Sequence, residues 1–216
     1  MNLLVFLVLI LGSYDPDTLG LLRSLKLRIQ EVFSGRDVYS FLLEDLEMYS
    51  CSVIGEEEMH TLLVENFDDR RSVMFFRGRY RLEWIEDAGS SEDLARFLER
   101  RLGKRVDVFP VSVMDKFRSL AEFSQLVFLI RDREETRGGE YVELAYLVIG
   151  CGASDKVWFF KRENVKLSTM AMELLDMYGV KMRPYTSKDE LLEGAIRVVN
   201  YEYLKFRGGA TFHINH

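Results

Sequence analysis

The stretch that most restricts the fold is residues 125–150, QLVFLIRDREETRGGEYVELAYLVIG. Residues 126–130 form an unbroken apolar run rich in β-formers, which suits a strand covered on both faces. Residues 131–137, charged at every position but Thr136, are expected in water at the C-terminal end of that strand. Gly138 and Gly139 then permit close approach of a backbone or ligand where a helix begins. Tyr141, Leu144, Ala145 and Val148 follow at helical spacing and are expected to face the sheet. Glu140 and Glu143, three apart, share another face and point towards one crevice. In an open α/β sheet that crevice is where ligands bind.

The rest of the chain repeats the same alternation. Residues 3–11 are a second continuous apolar run, ended by the turn formers of GSYDPDT. This opening superficially resembles a signal peptide. It lacks a basic leading segment, however, and its apolar run of about ten residues is too short to span a bilayer. It therefore reads as a central strand. Residues 19–33 are an amphipathic helix capped by Asp17 or Thr18, and 37–43 a second strand, completing a β-α-β unit. Further on, 156–160 read as a strand, 167–178 as a helix, 180–184 as a strand, and 187 to about 205 as a final helix opened by a Ser187/Glu190 capping box. Met170, Met172 and Met177 read as core filling.

Between these blocks the pattern is less regular. Residues 56–67 suggest a helix with three glutamates in its first turn, 72–76 and 80–85 a hairpin, and 90–102 a helix. Residues 106–109 suggest a short strand and 113–123 another helix. The expected architecture is a three-layer α/β fold of flavodoxin/Rossmann-like type. It has a mainly parallel sheet of about five strands, helices on both faces and a small β-hairpin insertion. One domain is expected over residues 1–207, with the insertion around 50–110 and a flexible tail at 208–216.

Composition narrows the function classes. With 29 basic against 35 acidic residues the net charge is −6, which argues against broad binding to nucleic acid or an anionic membrane. Cys51 and Cys151 match no metal spacing and no disulfide framework, so a cytoplasmic setting is expected. No metal or tightly bound cofactor is implied. His60 reads as structural, and His213 and His216 fall in the tail. Scarce glutamine beside abundant charged residues fits a thermophilic source. Tyr201, Tyr203 and Phe206 are candidates to pack on the sheet or on a second subunit of a homo-oligomer.

Three loops are expected at the C-terminal edge of the sheet: 12–15, 131–139 and 161–164. The first supplies Gly12, Ser13, Tyr14 and Asp15, and the second Asp132, Glu134, Glu135, Glu140 and Glu143. Several carboxylates over an apolar floor suit cleavage of a glycosidic bond. One meets the developing oxocarbenium carbon, while others hold hydroxyls or move protons.

The pattern strand–Asp–loop–Gly-x-x-x-Glu-Leu-x-Tyr, carried by Asp132 and by Gly139, Glu143, Leu144 and Tyr146 in GEYVELAY, resembles the nucleoside 2-deoxyribosyltransferase-like family and, more distantly, TIR-like folds. The resemblance implies that Glu143 is the carboxylate that meets the anomeric carbon. It also implies that the turn after strand one, GSYDP, lines the substrate pocket, and that the substrate is a small nucleoside or nucleotide. Where the family carries an aspartate, a threonine and a glycine, this chain has Arg137, Glu140 and Ala145. An arginine at 137 suits a phosphate contact, which favours an alternative: a non-catalytic nucleotide-binding or protein-interaction module.

Overall fold

A computed structural model describes residues 5–57, 59–67, 70–76, 82–86, 90–134 and 139–212. The chain divides into two compact units, Phe6–Leu43 with Arg118–His216, and Met1–Val5 with Glu44–Phe117.

The first unit is an α/β layer structure around a five-stranded, wholly parallel sheet. Its strands are β1 (Phe6–Gly12), β2 (Val38–Leu42), β8 (Leu126–Arg131), β9 (Val157–Arg162) and β10 (Lys181–Tyr185). The order across the sheet is β10-β9-β8-β1-β2. The two most apolar runs in the sequence, β1 and β8, are therefore adjacent and central, with every residue of both buried. After β1 the chain moves outward to β2, then returns to β8 on the other side of β1. The topological switch point lies between the C-terminal ends of β1 and β8.

Alternation along the strands separates two faces. Phe6, Val8 and Ile10 of β1, with Leu126, Phe128 and Ile130 of β8, join Leu22, Leu25 and Ile29 of α1 (Pro16–Val32) and Leu191, Ala195 and Val199 of α6 (Lys188–Phe212). On the other face α4 (Gly139–Ala145) packs against β1 and β8 and continues into a π-helical turn, Tyr146–Gly150. There Leu144, Leu147 and Val148 are buried. The final helix runs beyond Lys205 through Gly208 and Gly209 to Phe212, so 208–212 are helical rather than the expected tail. It is anchored by edge-on ring contacts of Tyr203 and Phe206 with Phe6 at 5.8 and 5.5 Å, whereas Tyr201 is exposed. His213 and His216 lie outside the described residues.

The second unit holds the expected hairpin, at 70–76 and 82–86, within a larger sheet. It is a five-stranded antiparallel sheet in the order β6-β5-β4-β3-β7. The strands are β3 (Leu46–Val53), β4 (Met59–Phe67), β5 (Arg70–Phe76), β6 (Leu82–Glu86) and β7 (Val106–Pro110), and α2 (Ser91–Leu102) packs on one face. Residues 59–67 are a strand and not part of a helix. Its residues Leu62 to Glu65 are all buried, a run covered on both faces that mimics helical spacing when read along the sequence. Helix α2 forms as its signals dictate, with a reciprocal Ser90/Asp93 capping box and a left-handed Gly103 at its end. The chain crosses between the units within α3 (Val113–Phe123). Among the described residues no helix is long and apolar enough to cross a membrane.

Candidate functional site

The candidate site is built where β1, β8, β9 and β10 end. Gly12 is fixed by packing. A Cβ there would lie 2.8 Å from the Ile130 carbonyl oxygen and 3.3 Å from the Leu22 side chain, so only glycine lets β1, β8 and α1 converge. Asp15, rather than Asp17 or Thr18, is the N-cap of α1, accepting from the Thr18 N–H at 3.1 Å. Partial burial works to raise the Asp15 pKa. Hydrogen bonds from Thr18 and Ser13 and the charge of Arg133 outweigh it, leaving the carboxyl below its ordinary value. Tyr14 turns its ring towards the core shared with α1 and α6.

Arg133, two residues beyond β8, donates to Asp17 and lies 3.8 Å from Asp15, tying the β8 loop to the start of α1. Its charge is held first by the bond to Asp17, with Asp15 and Asp132 contributing less. Asp132 accepts from the Tyr185 hydroxyl at 2.8 Å and has Arg162 at 3.6 Å. Burial, reinforced by the Asp132 hydrogen bond, raises the Tyr185 pKa well above its ordinary value. Three aspartates and two arginines therefore interlock at the switch point.

The charged stretch after β8 does not simply lie in water. Arg131 belongs to the strand, is 4% exposed, donates to the Glu134 carbonyl at 3.1 Å and stacks on the Tyr141 ring at 4.5 Å. Sequence reading missed it because a terminal arginine in a charged run looks solvated. What buries it is the aromatic ring brought over it by α4. Arg131 thus points to the α4 face, while Asp132 joins Tyr185 on the α1/α6 side. Asp132 and α4 consequently flank the end of one strand from opposite faces.

Glu143, on α4, is half-buried and its Oε2 is shielded from solvent. Glu140 sits in the first turn of the same helix. Gly139 opens α4, but a Cβ there would meet nothing within 4 Å, so close approach is not what requires this glycine. Arg137, with Glu135 and Gly138, lies outside the described residues. Loop 161–164 is organised by Lys161, whose amine donates to the carbonyls of Arg162, Glu163 and Val165 at 3.3, 3.0 and 2.7 Å. Glu134 accepts from the Lys166 N–H at 3.2 Å, joining this loop to the one after β8.

Tyr141, whose ring lies over Arg131 of β8, also lines with Ala145 and Ile149 one wall of an apolar groove of about 310 Å3 whose other wall is α5 (Thr169–Met177). Met170 and Met177, expected in the core, are 79% and 77% exposed along it. Helix α5 is too short and too near the surface to bury its full circumference, and Ala171 and Leu175 supply its inner face.

Elsewhere, His60 lies on β4, buried, 3.1 Å from Glu56, whose other oxygen holds Lys104 at 3.0 Å. Cys51 is its cross-strand neighbour, and burial, with Asp107 and Glu56 nearby, pushes the thiol up to about 11. A thiol so held is a core residue and not a nucleophile. Among the described residues no group of three or more His, Cys, Asp or Glu side chains could hold a metal ion. No protein-family model, curated protein or solved structure matches this chain.

Proposed function

We propose that the chain is an enzyme acting on the N-glycosidic bond of a nucleoside or nucleotide, by hydrolysis or transfer of the (deoxy)ribosyl group. The observation that supports this most is the setting of Glu143. It is a half-buried carboxylate with one oxygen shielded from water, on the helix that directly follows the switch-point strand β8. A carboxylate withdrawn from water stabilises a developing oxocarbenium ion more strongly than a solvated one, because less screening intervenes.

In this reading Glu143 is the nucleophile or oxocarbenium stabiliser. Asp132, fixed by Tyr185 and Arg162, and Glu140 hold sugar hydroxyls or assist proton transfer. Residues 12–15 shape the floor of the crevice, and Arg137 meets a phosphate when one is present. The small-molecule substrate enters over the strand ends, where both faces of the sheet become accessible. Released base from deoxynucleosides, nucleoside monophosphates or NAD, followed by chromatography, tests the reading. Release by the wild type and its loss in a folded Glu143→Gln variant is the expected result, and an active variant refutes the assignment.

A second reading, a nucleotide-binding or protein-interaction module without turnover, is favoured by one observation. Asp15 and Asp132 already serve as a helix cap and as the acceptor of a buried tyrosine, both structural duties. Ligand-induced thermal shifts on the same panel with no released base would select it.

A further inference from the structure

The groove between α4 with its π-helical turn and α5 has no part in the reading above. Tyr141 and Glu143 are two residues apart on α4, about 200° around the helix, so the groove and the candidate carboxylate occupy different faces. One wall presents Tyr141, Ala145 and Ile149 at i, i+4 and i+8, the other Met170, Leu174 and Met177. Ile149, Met170 and Met177 are 61%, 79% and 77% exposed. Neither wall contains a lysine or arginine. Helix α5 carries Glu173 and the exposed Asp176, and Glu173 lines the groove itself. This is an apolar, methionine-lined trough with an acidic border, the form that accepts an amphipathic helix bordered by basic residues.

The same chain exposes such a helix. On the outer face of α6, Tyr201 and Leu204 are 56% and 59% exposed. Arg197, Lys205 and Arg207 border them; Arg197 pairs with Glu193 at 2.9 Å and Lys205 with Glu202 at 3.4 Å, exposed pairs that a partner's carboxylates can share. Tyr201 and Leu204, with Arg197 and Lys205, follow helical spacing, so they form one ridge. The trough walls are 12 residues (7 in α4 plus 5 in the π-helical turn) and 9 residues long. That is roughly 18 and 13 Å, against about 12 Å for the ridge from Arg197 to Lys205.

We propose that the α4–α5 trough of one molecule receives the α6 ridge of a second copy. Helix α6 packs on one face of the parallel sheet and α4 on the other, so trough and ridge sit on opposite sides. A two-fold dimer satisfying both at once is excluded by that placement. The contact is head-to-tail and grows into a ring or an open chain.

Two exposed-surface variants test it: a trough variant, Met170→Lys with Met177→Lys, and a ridge variant, Tyr201→Glu with Leu204→Glu. At concentrations low enough to keep the wild type monomeric, each should share its unfolding midpoint, because the altered side chains are exposed. By analytical ultracentrifugation the wild type should form concentration-dependent species larger than a dimer, weakened by salt. Each variant alone should be monomeric. Mixed in equal amounts they should form a 1:1 heterodimer and nothing larger, because only one intact trough and one intact ridge remain. A monomeric wild type at millimolar concentration overturns the proposal. So does a wild-type assembly that both variants retain, which assigns it to another surface. A mixture that stays monomeric overturns the pairing of trough with ridge.

Discussion

Replacing Gly12 by alanine is the sharpest probe of how the site is held. The new Cβ would sit 2.8 Å from the Ile130 carbonyl oxygen, well inside van der Waals contact, and 3.3 Å from a Leu22 methyl. Neither neighbour can move cheaply. Gly12 and Ile130 are register partners at the C-terminal end of the ladder between the two central strands, and Leu22 is fully buried between α1 and the sheet. Overpacking of this kind costs about 1–3 kcal/mol. With a urea m-value of roughly 1–3 kcal/mol/M, a loss near the middle of that range lowers the midpoint by about 1 M. Gly139→Ala supplies the control. A Cβ there meets nothing, and the position opens a helix, so alanine should be neutral or stabilise by up to about 1 kcal/mol. Urea unfolding followed by far-UV circular dichroism, with hydrogen exchange of the β1 and β8 amides to localise the effect, measures both. A Gly12→Ala midpoint equal to wild type, at unchanged slope, would refute the claim that close approach of β1, β8 and α1 demands this glycine.

Tyr185→Phe removes the donor to Asp132 and should cost about 1–3 kcal/mol at neutral pH, read by urea denaturation. Because folding raises the Tyr185 pKa, its contribution is fully present below the ordinary tyrosine value and declines as pH rises past about 10. The gap between wild type and the phenylalanine variant should therefore narrow in alkali. Asp15→Ala should cost about 1 kcal/mol through loss of the α1 cap, and Asp15→Asn much less. The Asp15 pKa is lowered in the folded state, so the charged cap contributes above the ordinary aspartate value and fades as pH falls below about 4. Thermal unfolding between pH 3 and 6 checks the sign.

Much of the parallel unit is legible in the sequence because its strands are covered on both faces and so read as unbroken apolar runs. Residues 126–130 and the run before Gly12 announce two central strands, and GSYDP announces the turn. The loops expected to gather at one edge do gather there, bringing Asp15, Asp132 and the two arginines together. The antiparallel unit is less legible for a related reason. In β4 the consecutive burial of Leu62, Leu63 and Val64 destroys the two-residue alternation that marks a half-buried strand, and the preceding glutamates imitate a helix start. Strand β3 gives an alternating pattern too mixed with serine and cysteine to stand out.

Local sequence thus determined where turns, caps and apolar runs fall, since backbone preference and hydrophobic burial act within a few residues. The order of strands, the pairing of Asp132 with Tyr185 across 53 residues and the stacking of Arg131 on Tyr141 depended on the tertiary fold. So did the exposure of Met170 and Met177. Each of these is set by which side chains meet from distant parts of the chain, and no pattern along the sequence carries that information.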